Sequence, residues 1–193
     1  RKLDIPVAFG TGPSVAGGGP EVHIRIAAGQ SVLVGKDRFT QSGGTIRKNG
    51  KKVPSPFELP PRSAHQGRTY RGKLAVSAEN GRAGGSAGGR VVLVNSLPME
   101  EYLYGVLKNE IGPGWHREAL KAQAIASRTF VLRRMELTKP SAGGHVRLSA
   151  DVSIQVYRGI SAEDPRVAAA VDATRGLVLA YRGELIESVF HSE

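Results

Sequence analysis

Leu97-Pro98-Met99-Glu100-Glu101-Tyr102-Leu103-Tyr104-Gly105-Val106-Leu107-Lys108-Asn109-Glu110 is one of two long helical patterns in the chain; the other is centred on Ala119-Leu120-Lys121-Ala122-Gln123-Ala124-Ile125-Ala126-Ser127-Arg128-Thr129-Phe130-Val131-Leu132. Pro98 suits a first helical position, where its missing N–H is not needed. Glu100 and Glu101 suit a first turn, where the helix dipole favours anions, and they read as surface charges. The first helix is predicted to run to about Glu110 on a stripe of Leu103, Val106 and Leu107 and to stop at Gly112-Pro113-Gly114. The second is predicted from about His116 to Leu137, with Pro140 beyond it. Between Ala119 and Leu132 it is apolar or small on nearly every face, interrupted only by Lys121, Gln123, Ser127, Arg128 and Thr129. Such a helix is buried on most sides, so strands from both ends of the chain are expected around it.

Upstream of Asn95 the texture is that of short strands and turns. Val22-His23-Ile24-Arg25-Ile26 alternates apolar and basic residues, and Ser31-Val32-Leu33-Val34 is a second apolar run. Thr45–Lys48 and Lys51–Val53 flank Asn49-Gly50, a strong hairpin signal. Thr69–Val76 leads to Arg90–Val94 through a Gly-rich connector over 81–89, which lacks the Gly-Lys-Ser/Thr of a phosphate loop and reads as a hairpin tip. Downstream, Asp164-Pro165 should cap a helix over 166–175 that Gly176 closes. Leu177–Tyr181 and Glu184–Phe190 then pair across Arg182-Gly183. Strands, two long helices, a further helix and a hairpin make an α+β pattern, with a β-rich N-terminal half, central buried helices and a C-terminal helix plus hairpin. One domain over 1–193 is expected, made of a basic β-rich part over 1–95 and a part over 96–193 that carries the chemistry.

Composition narrows the functions. The absence of Cys excludes a disulfide scaffold, a thiolate nucleophile and any Cys-ligated metal. There is no apolar run long enough for a helical membrane span, which needs about 18 residues or more. The net charge of +10 is unevenly spread: residues 1–96 hold 15 Lys/Arg against 5 Asp/Glu, and residues 97–193 hold 12 of each. The excess therefore lies wholly in the N-terminal half, as either a merely solvated basic face or a surface that gathers polyanions such as nucleic acid, anionic lipid or an anionic cell wall. Nucleic acid fits poorly. There is no helix-turn-helix, zinc finger or RNP motif, and aromatic residues for stacking are only 6% of the chain. No signal peptide is visible after Arg1, and a start without Met suggests a trimmed or mature chain, which leaves room for a removed signal.

Glu110 stands out because it lies three, four and seven residues after Leu107, Val106 and Leu103, on their apolar stripe. Burial disfavours a carboxylate's charged form, which is what a general acid near neutral pH requires. The alternative is a carboxylate at a frayed helix end, turned to solvent or paired with a base. Lys121 and Arg128 are seven residues apart and share a helix face. They are either an ordinary surface stripe or buried cations that need an anion, with Glu110 and a substrate carboxylate as candidates.

The same stretch closely resembles the SpoIID (stage II sporulation protein D) family. The resemblance is carried by Leu97–Val106, Asn109-Glu110-Ile111 and above all Glu118–Phe130. It extends to Tyr70-Arg71-Gly72, Gln155-Val156-Tyr157-Arg158-Gly159, Asp164-Pro165-Arg166, Thr174–Leu179 and Phe190-His191-Ser192, covering residues 68–193 well and the basic strands loosely. It implies a lytic transglycosylase of bacterial peptidoglycan, outside the cytoplasm, acting on glycan strands without a cofactor. Glu110 matches the family's catalytic Glu, and Lys121 and Arg128 its functional Lys and Arg. Gln123, Gln155, Tyr157, His191 and Ser192 fall in matching stretches and are implied as substrate-binding residues. In the implied chemistry one carboxylic acid protonates the MurNAc–GlcNAc oxygen; its carboxylate then deprotonates the C6 hydroxyl, which closes a 1,6-anhydro ring. Because no water is consumed, the second carboxylate of a hydrolase pair is dispensable.

Two departures from the family stand in the sequence. Some relatives bind zinc through Cys and His just before the Gln-Val-Tyr run, where this chain has Asp151-Val152-Ser153-Ile154, so no zinc is inferred. The five His are widely spaced and read as structural or surface residues. Relatives also continue past the His-Ser position into a polar Ser/Gly-rich loop, whereas this sequence ends at Glu193, so part of the substrate site is expected beyond it. The competing function, from a different class, is a non-catalytic peptidoglycan-binding module that enhances a cell-wall amidase, as some relatives are described.

Overall fold

A computed structural model describes residues 20–79, 89–138, 147–149 and 157–188. The chain begins with β1 (Glu21–Gly29), then forms an antiparallel meander of β2 (Ser31–Val34), β3 (Asp37–Ser42), β4 (Thr45–Lys48) and β5 (Lys51–Val53), with Asn49-Gly50 turning between the last two. Three short strands follow, β6 (Phe57–Glu58), β7 (Ala64–His65) and β8 (Arg68–Thr69), and then the long β9 (Lys73–Glu79) and β10 (Arg90–Pro98). The helical part comprises α1 (Met99–Tyr104), α2 (Leu107–Glu110) and α3 (Arg117–Leu137). It continues through β11 (Arg147–Ser149), a 3-10 turn over Ile160–Ala162, α4 (Pro165–Ala173) and the hairpin of β12 (Ala180–Tyr181) and β13 (Glu184–Leu185).

The principal sheet has the order β11-β1-β10-β9-β6. β10 is antiparallel to both β1 and β9, and β1 is parallel to β11, with a bulge in β1 between Arg25 and Ala27. Val91 to Asn95 of this central strand are all buried. That explains its run of apolar residues without alternation, since both faces are covered. The meander lies against the sheet, so Val32, Val34, Phe39 and Ile46 join Val22, Ile24, Val76, Val91 and Leu93 in one core. Phe39 and Phe57 meet with ring centroids 5.6 Å apart. The α+β pattern expected from the sequence is therefore what the chain forms.

Two expectations about the helices need correction. The helix predicted from Pro98 to Glu110 is two segments, α1 and α2, broken at Gly105-Val106. Tyr157 packs at the break: a Cβ on Gly105 would lie 2.7 Å from its ring, and the Gly105 carbonyl accepts from Arg158 N–H at 3.5 Å. The ring, absent from any local pattern, decides the break. Nor do strands from both ends surround α3, whose main neighbours are α4, α1, α2 and the β13 edge. Of its buried residues, Leu120, Ala124, Ser127, Arg128 and Val131 form one stripe and Thr129 lies on the opposite side, where its hydroxyl accepts from Leu179 N–H at 2.9 Å; the flanks between are only half-covered. Small residues on those flanks allow close approach without total burial. The capped helix after Asp164 forms as read: the Asp164 carboxylate accepts from Arg166 N–H at 2.9 Å, and Pro165 takes the first turn. The C-terminal hairpin turns at Arg182-Gly183 as expected, but with two-residue strands.

Candidate functional site

Asn95 is the buried polar centre where the sheet meets the helices. Its amide donates to the Arg71 carbonyl (2.7 Å) and the Lys73 carbonyl (3.0 Å), and its oxygen accepts from the Tyr157 hydroxyl (2.9 Å). A fully buried amide requires such partners, because an unmet polar group there costs about 1–3 kcal/mol. Tyr157 in turn lies between Tyr70 (ring centroids 6.0 Å) and Tyr102 (5.3 Å). Tyr70-Arg71-Gly72 and Tyr157-Arg158-Gly159 thus converge from opposite ends of the chain. Each ends in a glycine in the left-handed region (φ +66° and +70°), where any Cβ would overlap a neighbouring backbone carbonyl, that of Ser96 or Thr69.

Glu110 closes α2 and is half-buried. The Tyr102 phenol is held far above its ordinary range, first by burial and then by its coupling to Glu110 and Tyr157. That coupling sets the Glu110 carboxylate within electrostatic reach of the buried ring. After it the chain turns through Gly112-Pro113-Gly114 and presents Trp115, 63% exposed, before His116 caps α3. An indole left in water offers a flat apolar face to a ligand.

The two cations expected to act together differ in depth. Lys121 is on the outer side of α3, its ammonium 3.0 Å from Glu118, whose carboxyl is held below its usual range by bonds from Lys121 and then Arg117. Arg128 is 1% exposed. Its Nε and Nη2 donate to the two oxygens of Glu100 (3.0 and 2.6 Å), and Nη1 donates to the Leu177 carbonyl at 2.9 Å. Glu100, read from the sequence as a surface charge, is 3% exposed and also accepts from Gly176 N–H at 3.3 Å. The anion that Arg128 requires is therefore Glu100, and its guanidinium is turned away from solvent. Gln123 is half-buried and donates to Ser127 Oγ at 3.3 Å.

Of the residues implied as substrate-binding, Lys121 and Gln123 are each half-buried on different faces of α3, whereas Arg128 and Tyr157 are buried, the second 4% exposed. Gln155, His191 and Ser192, like Asp151–Ile154 and most of the 81–89 connector, lie outside the described residues. Among the described residues no three His, Cys, Asp or Glu side chains are grouped to hold a metal ion, and no helix is long and apolar enough to cross a membrane. Sequence reasoning missed Trp115, although a lone Trp beside a Gly-Pro-Gly turn was a usable signal. It also missed Asn95 and Glu100, whose partners arrive from distant segments. A surface chain ties the same corner together: Arg71 grips Glu163 at 2.6 and 2.8 Å and lies over the Tyr104 ring, and Tyr104 donates to Asp172 at 2.6 Å.

Comparison with known proteins converges on this region. Residues 87–181 match the SpoIID family, Stage II sporulation protein. The chain is 35% identical over 111 residues to Stage II sporulation protein D of Bacillus subtilis, covering 51% of this chain and 32% of that protein. It is 37% identical over 90 residues to a Bacillus subtilis protein named amidase enhancer, covering 47% of this chain and 11% of that one. An uncharacterized protein of Brachyspira hyodysenteriae is 36% identical over 100 residues, covering 52% of this chain and 27% of its own length. The chain spans about a third or less of each of these relatives. With Glu110, Lys121 and the Glu100–Arg128 pair all inside the matched segment, the chain carries a domain of the SpoIID family.

Proposed function

We propose that the chain acts on the bacterial cell wall, outside the cytoplasm, as a lytic transglycosylase that cuts the MurNAc–GlcNAc bond of peptidoglycan glycan strands. The observation that carries the reading is Glu110: a half-buried carboxylate within electrostatic reach of the buried Tyr102 phenol, at the position of the family's catalytic Glu. Protonated, Glu110 gives its proton to the glycosidic oxygen as the bond from that oxygen to C1 of MurNAc breaks. Its carboxylate then takes the proton of the C6 hydroxyl, whose oxygen bonds to C1 and closes the 1,6-anhydro ring. Glu110 ends as it began and no water is consumed. Exposed Trp115, close to Glu110 in sequence, gives a sugar ring a face to stack on, and Lys121 supplies positive charge on the partly open side of α3. Glu100 takes no part, being held by Arg128.

Glu110→Gln keeps shape and hydrogen-bonding capacity but has no proton to transfer. Release of anhydro-muropeptides from purified sacculi, read by mass spectrometry, should fall at least about a hundredfold, the lower range for general acid–base catalysis. Wild-type release by the variant would sink the catalytic assignment. A second reading, a non-catalytic wall-binding module that enhances an amidase, is favoured by the 37% identity to a protein of that name. Sacculus binding by the wild type with no anhydro products would select it.

A further inference from the structure

We propose that the N-terminal half holds a second, non-catalytic site that binds an acidic oligosaccharide, in a cleft between the end of β1, β2 and the β7–β8 hairpin. The cleft encloses about 550 Å³, within the usual range for small-ligand sites. Its apolar lining is Ala27, Ala28 and Leu33, the last 49% exposed despite its size. Small and aliphatic side chains of this kind match the C–H face of a pyranose.

His65 supplies the first polar feature. It lines the cleft while only 7% exposed, and its Nδ1 bonds to the Leu33 carbonyl at 2.6 Å. A carbonyl can only accept, so Nδ1 carries the hydrogen, and in the neutral ring Nε2 is an acceptor. Among the described residues Nε2 has no protein partner, and a ligand hydroxyl suits it.

The second feature is charge. Ser31 lines the cleft and its hydroxyl accepts from Arg38 Nη1 at 3.3 Å, which pins that guanidinium at the rim. Strand register places Ser31, Thr40, Arg47 and Lys52 in one row across the meander, on the face that also carries Arg38. Among the described residues Arg38, Arg47 and Lys52 have no carboxylate partner, and the nearby Asp37 is engaged by Lys48 and Asn49. Directly opposed like charges such as Arg47 and Lys52 repel, and a bound anion relieves that. An apolar floor, a hydroxyl acceptor and rim cations together fit an acidic sugar. A DNA backbone, which has no hydroxyl along it, offers no donor to Nε2, and a neutral sugar offers nothing to the cations.

This inference rests on the wall-glycan reading above only for the identity of the polymer. The test titrates the full Glu110→Gln chain, labelled with ¹⁵N, with a GlcNAc–MurNAc tetrasaccharide bearing its lactyl carboxylates, with neutral chitotetraose and with a DNA duplex. The amides of Ala28, Leu33 and Gln66 should shift with the acidic tetrasaccharide, and chitotetraose should bind them about tenfold more weakly, the worth of one charged hydrogen bond. Arg38→Gln should cost the same factor, and Leu33→Asp, at an exposed position, should abolish the shifts while those around residue 110 persist. Unmoved amides over 27–35 and 64–67, equal shifts with chitotetraose or DNA, or wild-type affinity in both variants would overturn the site. Cleavage is scored separately on the wild type, so its absence strikes the catalytic reading and not this one.

Discussion

Removing the guanidinium of Arg128 leaves the Glu100 carboxylate surrounded by protein, with the Gly176 N–H as its remaining hydrogen bond among the described residues and the Arg175 charge at longer range. Breaking one side of a buried pair typically costs about 3–5 kcal/mol, whereas replacing both partners by apolar groups of similar volume is often neutral. Arg128→Met should therefore lower the urea midpoint steeply, and Glu100→Leu with Arg128→Met should recover most of the loss. The double variant should also bind glycan as the wild type does, since neither side chain reaches the surface; lost affinity in a well-folded double variant would restore Arg128 to the binding site. Residue spacing placed Lys121 and Arg128 at one azimuth of α3, which was right as far as it went. Seven residues also separate them by about 10.5 Å along the axis. The carbonyls of Val171 and Leu177 close over the Arg128 end, while Lys121 stays on the rim. A first-turn acid normally faces water, so the depth of Glu100 was not legible without its partner 28 residues on.

At the scale of elements, what local chemistry specifies was legible: the Asn49-Gly50 turn, the Asp164-Pro165 cap, and α3 within a residue of its predicted start. The break between α1 and α2 was not, because a ring 52 residues later in the chain imposes it. Gly105 has right-handed helical dihedrals (φ −84°, ψ −5°), so alanine meets no backbone strain there. Its methyl group would instead meet the Tyr157 ring at 2.7 Å and the Gly159 carbonyl at 3.2 Å. Gly105→Ala should destabilise the fold by about 1–3 kcal/mol, the usual cost of overpacking. It should also shift α2 and with it Glu110, so glycan cleavage should fall more than stability alone accounts for, measured below the unfolding transition.

Across the whole molecule the charge asymmetry predicts how the protein meets an anionic wall. Raising ionic strength from about 0.1 M to about 1 M shortens the screening length from about 10 Å to about 3 Å. Sacculus binding should weaken steeply over that range in a pull-down assay, and indifference to salt would count against capture by the basic half. The α+β class was readable because strand alternation, turn residues and helical periodicity change together near residue 95. The company kept by α3 was not, since a small-residue helix tells how closely neighbours come and not which they are. The central strand carries a last consequence. The segment matched to the SpoIID family begins at residue 87, yet β10 is zipped on one side to β1 and on the other to β9, both of which precede it. The matched segment is therefore not by itself what folds as one. Excised alone, 87–181 would bare both edges of an apolar strand, an invitation to aggregate.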